Sequence, residues 1–213
     1  QSPPSFPLQL HINTESGLIY LANPFPLEEI KPQYDWLTCY EPEDHLDDLV
    51  EKLIKLPGIT PNSLFGAYSF KDDSTLRRLA GLGFKKNWRI DPLHDLEIMD
   101  RCANVETYQS IFTPEKAKDI RENHGAADVL IVRHVLEHSY DLQLFIRAIR
   151  GLVKTGGYIV WEIPDCERAL SVGDFTTVWE EHIFYFTSFT FKRLLIESGF
   201  SIVYFETVPY PLE

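Results

Sequence analysis

The stretch ADVLIVRHVLEHSYDLQLFIRAIRGLVKTGGYIVWEIP, Ala127–Pro164, decides the fold. ADVLIVRHV is a continuous apolar run, the pattern of a strand buried on both faces in the middle of a parallel sheet. DLQLFIRAIRGLV reads as a helix, GG as a turn and YIVWEIP as the next strand. Strand, helix and strand in that order make one right-handed crossover unit.

The same alternation extends outward from this unit. SLFGAY (63–68) reads as a strand, DSTLRRLAGLG (73–83) as a helix with Asp73 as its N-cap, and KNWRIDP (86–92) as a strand ending in acid-proline. Helix LHDLEIMDRC (93–102), short strand VETY (105–108) and helix PEKAKDIRENHG follow, the last with Pro114 in its first turn. Beyond the central unit, helix SFTFKRLLIESGF runs into strand SIVYFET (201–207). Upstream, DHLDDLVEKLIKL places Leu46, Leu49, Val50, Leu53 and Ile54 at helical spacing. Residues 1–43 differ in character: they are Pro-rich, with short β-like pieces in LQLHI and GLIYLA. The pattern predicts a doubly wound α/β domain over 44–213, preceded by an irregular β/helical extension over 1–43.

Composition sets limits on function. The chain has 213 residues, 44% hydrophobic and 13% aromatic, enough for a sizeable core. A net charge of −12, from 20 basic and 32 acidic residues, argues against nucleic acid as a partner. The longest apolar run, VLIV, is too short to span a bilayer, and no signal peptide is visible, so no membrane partner is expected. Cys39, Cys102 and Cys166 are odd in number and widely spaced, as in a cytoplasmic protein with reduced thiols. None has a second cysteine at metal-ligand spacing, and no metal site is expected. The ends, Gln1 without Met and PLE, are not read as natural termini.

In a doubly wound sheet, ligands bind beyond the carboxyl ends of the strands. Asp91, at the end of KNWRID, stands where a carboxylate bonds ribose hydroxyls, and Pro92 sharpens its turn; an ordinary loop Asp is the plainer alternative. In LEHSYDL, Glu137 and His138 adjoin a helix start, where His138 is either a base or ligand or a capping residue. TTVWEEHIFYFTSFTF (176–191) concentrates the most chemistry. It sets Glu180, Glu181 and His182 among Trp179, Phe184, Tyr185 and Phe186, either a tuned acid–base pair or an aromatic packing cluster.

Taken in order, these pieces resemble the class I S-adenosylmethionine-dependent methyltransferases, specifically the sugar C-methyltransferases that modify nucleotide-linked deoxysugars. WRIDP resembles that family's second-strand motif, IFTPEKA its third loop, ADVLIVRHVLEHSYDL its fourth strand, GGYIVWEIPD its fifth, and VWEEHIFYFTSFTFKRLLIESGF its aromatic–x–Glu–His signature. The resemblance implies a Rossmann-like sheet, S-adenosylmethionine as cofactor and a small polar acceptor. It also implies His182 as catalytic base, Glu181 as its orienting carboxylate and His138 as a second active-site His. Trp179 stands where the family tends to have Tyr, and Tyr34 is a substitute source of a hydroxyl. On the cofactor side the resemblance points to Gly66, Tyr68, Asp91, Pro92, Ser110 and Arg133.

The departures from the family gather on the cofactor side. GAYSFKDDS replaces the Gly-rich loop, Ser110 replaces an acidic residue near the adenosine, and Arg133-His134 replace an Asn-Asn pair. NTESG (13–17) stands where the family's N-terminal module carries zinc-binding cysteines. SIVYFET precedes the place of a final antiparallel strand, so an open sheet edge is expected, to be covered by a second copy or a further domain. Two functions stay open: methyl transfer with a divergent cofactor loop, or a methyltransferase-like binding or assembly module whose pocket Tyr68 and Phe70 fill. A nicotinamide oxidoreductase is less favoured, because it needs the glycine turn for its pyrophosphate.

Overall fold

The computed structural model describes residues 5–31, 42–100, 103 and 109–209. Its frame is a parallel sheet of β3 (Phe65–Ala67), β4 (Asn87–Arg89), β5 (Ala127–Arg133) and β6 (Val153–Glu162), in the order β4-β3-β5-β6. The apolar run in ADVLIVR is the inner strand β5, fully buried except at Asp128. Its side chains alternate between two cores. Val129 and Ile131 join Phe65, Ala67, Val50, Leu53, Leu76 and Leu79 on one face. Leu130 and Val132 join Trp88, Phe112, Phe145, Ile149 and Leu195 on the other.

The first face is covered by α2 (His45–Leu53) and α3 (Asp73–Gly81), and the second by α4 (Pro114–His124), α5 (Leu142–Gly151) and α7 (Ser188–Glu197). Their starts are set by local chemistry: Asp141 accepts from the Leu144 amide at 2.8 Å, Thr113 from that of Lys116 at 3.3 Å, and Thr187 from that of Thr190 at 3.2 Å. Two short helices, α1 (Leu27–Ile30) and α6 (Glu167–Val172), lie in connections. No helix among the described residues is long and apolar enough to cross a membrane.

The amino-terminal β pieces form β1 (Leu10–Ile12) and β2 (Ile19–Leu21). These pair antiparallel with each other, and β2 pairs antiparallel with β7 (Phe184–Tyr185). The extension over 1–43 is thus hydrogen-bonded to the segment that carries His182.

The local readings differ from the structure in several places. No helix forms over 93–100: Asp91 Oδ1 accepts the amides of Leu93 and His94, each at 2.9 Å, and Asp95 Oδ2 that of Asp91 at 2.8 Å, closing a turn. Glu97 then takes a left-handed φ of 59° through which a helix does not continue. Residues 201–207 have strand-forming side chains yet form no strand. Asp73 is the first residue of α3, not its cap, and its carboxylate pairs with Arg89 at 3.0 Å. VETY, Tyr34, Cys39 and Cys102 lie outside the described residues.

Gly66 sits in the middle of β3, opposite Trp88 and Leu130. A Cβ there would lie 2.6 Å from the Trp88 ring, so the strand needs glycine to admit the indole. Gly66→Ala is expected to destabilise the chain by about 1–3 kcal/mol through overpacking. In urea unfolding, Trp88→Leu in the same chain should recover part of that loss, because the two sites are in contact.

Candidate active site at the carboxyl ends of the strands

The turn after β3 closes on itself. Phe70–Asp72 is a single 3-10 turn capped by Ser69. The Asp72 carboxylate, wholly buried, accepts the amides of Tyr68 at 3.0 Å, Ser69 at 2.9 Å and Arg133 at 3.2 Å. Burial pushes its pKa up to about 7, against the pull of those amides and of the Arg133 charge. Main-chain donors at the tips of β3 and β5 are therefore committed to one side chain.

Arg133 is the largest fully buried side chain, only 1% exposed. Its Nε donates to Glu162 Oε2 at 2.7 Å and its Nη1 to the Lys71 carbonyl at 2.5 Å. Glu162 Oε1 also accepts from His134 Nε2 at 2.9 Å and His45 Nε2 at 3.1 Å. Burial opposes ionisation of Glu162, but the His134 hydrogen bond and then those of Arg133 outweigh it, holding the carboxyl well below the usual range. His134 has a positive φ of 50°, a strained conformation that its amide, donating to the Glu162 carbonyl at 2.8 Å, and its ring help to hold.

The second cluster lies where the loop after β5 meets the segment before β7. Ile183 threads between them: its amide donates to the Glu137 carbonyl and its carbonyl accepts from Leu21, both at 2.8 Å. This brings the His138 and His182 rings within 4.7 Å, edge to face. His138 is 3% exposed, and its Nδ1 bonds the Glu181 carbonyl at 2.8 Å. That contact turns Nε2 toward Glu137 Oε1, 3.8 Å away. Burial, then the Lys71 charge, pushes the His138 pKa down to about 3, so this imidazole is neutral at physiological pH. Trp179 packs 5.2 Å from the His182 ring. The Tyr185 hydroxyl pins that loop through the Trp179 amide and carbonyl, and burial raises its pKa to about 12. Glu137, His138 and His182 bring ligand atoms within 4.8 Å of one another, the one such His-carboxyl grouping found among the described residues.

His138, His182 and Glu181 therefore come together, with the Glu181 contribution to His138 made by its main chain. Glu137, which sequence reasoning noted but left out of the site, supplies the carboxyl beside His138. The cofactor-side residues divide. Gly66 is accounted for by Trp88, Tyr68 is fully buried against Phe112 and Phe145, and Arg133 is held by Glu162. Asp91 and Pro92 remain half-exposed and Ser110 exposed at the strand ends. Hydrogen bonds from the His94 and Leu93 amides hold the Asp91 carboxyl below the usual range. Next to Ser110, the Gln109 side chain is 6% exposed, and neither its amide nitrogen nor its oxygen has a hydrogen-bond partner among the described residues.

Known proteins resemble this chain over most of its length. The model of a family described as "Methyltransferase domain" matches residues 71–204. The chain belongs to that family, and its sheet, with parallel strands and helices on both faces, is consistent with a Rossmann-like methyltransferase fold. The C-methyltransferase NovU of Streptomyces niveus is 24% identical over 159 residues, which cover 75% of this chain and 38% of that protein. The chain thus spans well under half the length of this relative. The family match starts at Lys71, inside the turn after β3.

Two outcomes follow from these networks. Glu162→Gln removes the nearest carboxylate from the buried Arg133 charge, leaving Asp72 and the more distant Glu43, and is expected to lower the unfolding free energy by about 3 kcal/mol in denaturant titration. For His138, unfolding raises the pKa from about 3 to 6.5, so the unfolded chain binds the extra proton between these values. The His138 contribution to stability rises with pH across that window, opposed above pH 3.8 by Asp72, whose folded pKa is raised to about 7. His138→Asn should make the measured stability fall more steeply, or rise less, with pH in pH-dependent unfolding.

Proposed function

We propose that the chain methylates carbon on a small polar acceptor, a nucleotide-linked sugar or related metabolite with a carbonyl next to the reacting carbon. The observation that carries this reading is the His138 and His182 pair, with Trp179 and Tyr185 beside it, in a methyltransferase fold.

The residues at the cofactor pole fit a nucleoside. Gln109 presents a buried amide donor and acceptor without partners among the described residues. That pair reads an adenine edge, and buried polar groups of this kind call for a ligand or water. Asp91 has one carboxylate oxygen engaged by its own turn, and the other accepts no hydrogen bond from the described residues, which suits a hydroxyl ligand such as a ribose. Gln109, Asp91 and Ser110 would hold the cofactor, with Pro92 shaping the turn. S-adenosylmethionine, when bound, supplies an electrophilic methyl group on a sulfonium.

The acceptor pole does the proton chemistry. His182 takes the proton from the acceptor carbon, leaving an enolate on the substrate. The neighbouring His138, neutral through burial, adds no like charge against the imidazolium that forms on His182. The Glu181 carbonyl and Glu137 fix the orientation of His138, and Trp179 and Tyr185 limit water around the pair. Tyr34 is a further proton carrier in this reading.

A second reading, a methyltransferase-like binding or assembly module, is favoured by one observation: Asp72 takes the amides at the tips of β3 and β5 that would otherwise greet a ligand. Calorimetric titration with S-adenosylhomocysteine separates the two. Methyl transfer predicts saturable binding, weakened about tenfold by Gln109→Ala. His182→Asn should leave that binding intact and lower the methylation rate by about 100-fold or more. Absence of heat at about millimolar ligand supports the module instead.

A further inference from the structure

The histidine pair has a second chemistry besides proton transfer. Glu137, His138 and His182 each bring one ligand atom to within 4.8 Å of the others, and they come from two separate segments of chain. Glu137 and His138 end the 3-10 turn Leu136–His138, and His182 precedes β7. Glu137 and His138 are 2% and 3% exposed, and His182 is half-buried. Two hydrogen bonds tie the segments together. The Ile183 amide donates to the Glu137 carbonyl and His138 Nδ1 to the Glu181 carbonyl, both at 2.8 Å. Main chain therefore places the ligand atoms, and binding an ion costs little further ordering.

The tautomer of His138 suits the same use. An imidazole that donates from Nδ1 to a main-chain carbonyl carries its lone pair on Nε2, the arrangement that orients histidines on a metal. His138 Nε2 faces Glu137 Oε1 at 3.8 Å, too far for a hydrogen bond and matched to an ion bridging the two. Zinc bonds of about 2.0–2.2 Å put tetrahedral ligand atoms about 3.3 Å apart, so each side chain closes by less than about 1 Å. Two imidazoles and a carboxylate suit zinc-class ions rather than Mg²⁺ or Ca²⁺, whose sites are built of oxygen. Three protein ligands leave a fourth position open. The Lys71 charge, felt at His138, opposes a cation here, and the Glu137 carboxylate offsets it. The expectation of no metal site rests on cysteine spacing and does not reach imidazole and carboxylate ligands.

We propose that Glu137, His138 and His182 form a binding site for a divalent zinc-class ion that switches the chain off. The site stands on geometry alone, whereas the switching rests on the function proposed above, in which His182 takes a proton. With an ion on one His182 nitrogen, the neutral ring carries its proton on the other. No lone pair is then left to take a proton from the acceptor carbon. Gln109 and Asp91 are not ligands of the ion, so cofactor binding is expected to persist while the base is blocked.

The test uses the full chain, first freed of metal with a chelator. Zn²⁺ titrated in competition with a chromophoric chelator should bind one ion per chain with a Kd of about 1 µM or tighter. Glu137→Gln and His182→Asn should each weaken binding at least about tenfold, and His11→Ala, at an exposed histidine, should not. Co²⁺ should give visible absorption bands that disappear in His182→Asn, and Mg²⁺ at about millimolar concentration should displace nothing. Saturating Zn²⁺ should stop deuterium uptake from deuterated water at the carbon beside the carbonyl of a nucleotide-linked keto sugar. Chelator should restore that uptake, with S-adenosylhomocysteine binding unchanged throughout. A Kd above about 100 µM, or one equal in folded Glu137→Gln, His182→Asn and His11→Ala variants, overturns the site. Uptake that continues with Zn²⁺ bound overturns the switch. Uptake absent from the metal-free chain counts against the proposed function instead, and the Zn²⁺ titration still decides the site.

Discussion

A guanidinium that cannot reach water must be answered within the protein, and the arrangement around Arg133 is that answer. Glu162 meets it from the end of β6, Asp72 from the turn after β3 and the Lys71 carbonyl from the same turn. One buried charge thus locks three chain segments that converge at the carboxyl ends of the sheet. His134 and His45 complete the coordination of Glu162, and His134 accepts backbone strain in doing so. The floor of the site is rigid because loosening any one partner would strand a charge.

That rigidity divides the site into unlike halves. On the side proposed for the cofactor, Asp72 satisfies amides that many nucleotide-binding turns leave for their ligand, and the proposed function therefore rests recognition on the Gln109 and Asp91 side chains. At the acceptor pole, a neutral buried His138 stands beside a more accessible His182, a pairing suited to moving a proton at neutral pH. The extension over 1–43 reaches this pole through the β2–β7 pairing, so it belongs to the architecture around His182. The family match supports methyl transfer, and the site carries the proposal for how it is done.

Much of the frame is legible in the sequence because long apolar runs and capped amphipathic helices are decided locally. ADVLIVR, the α5 segment after Asp141 and the α4 segment after Thr113 all carry period, cap and stop signals in their own residues. The misread parts depend on partners distant in sequence or on side chains competing for the backbone. Over 93–100, Asp91 and Asp95 close a turn and the left-handed Glu97 stops it from continuing as a helix. Segment 201–207 has strand propensity but pairs with no strand among the described residues. Gly66 looks like a ligand-approach glycine until Trp88, 22 residues on, is seen to fill its space. Glu137 enters the site only because Ile183 hydrogen-bonds its carbonyl across 46 residues. The signal that could have marked it is its position between two histidines, His134 and His138.

The central claim is that the His138–His182 pair removes a proton from a carbon beside a carbonyl. The most direct measurement is hydrogen–deuterium exchange at that carbon, followed by nuclear magnetic resonance, for a nucleotide-linked keto sugar incubated with the chain and S-adenosylhomocysteine in deuterated water. The account predicts deuterium incorporation that is faster than the buffer rate and falls to it in His182→Asn. Incorporation that is unchanged in His182→Asn, or none above the buffer rate with a folded, ligand-saturated chain, would contradict it.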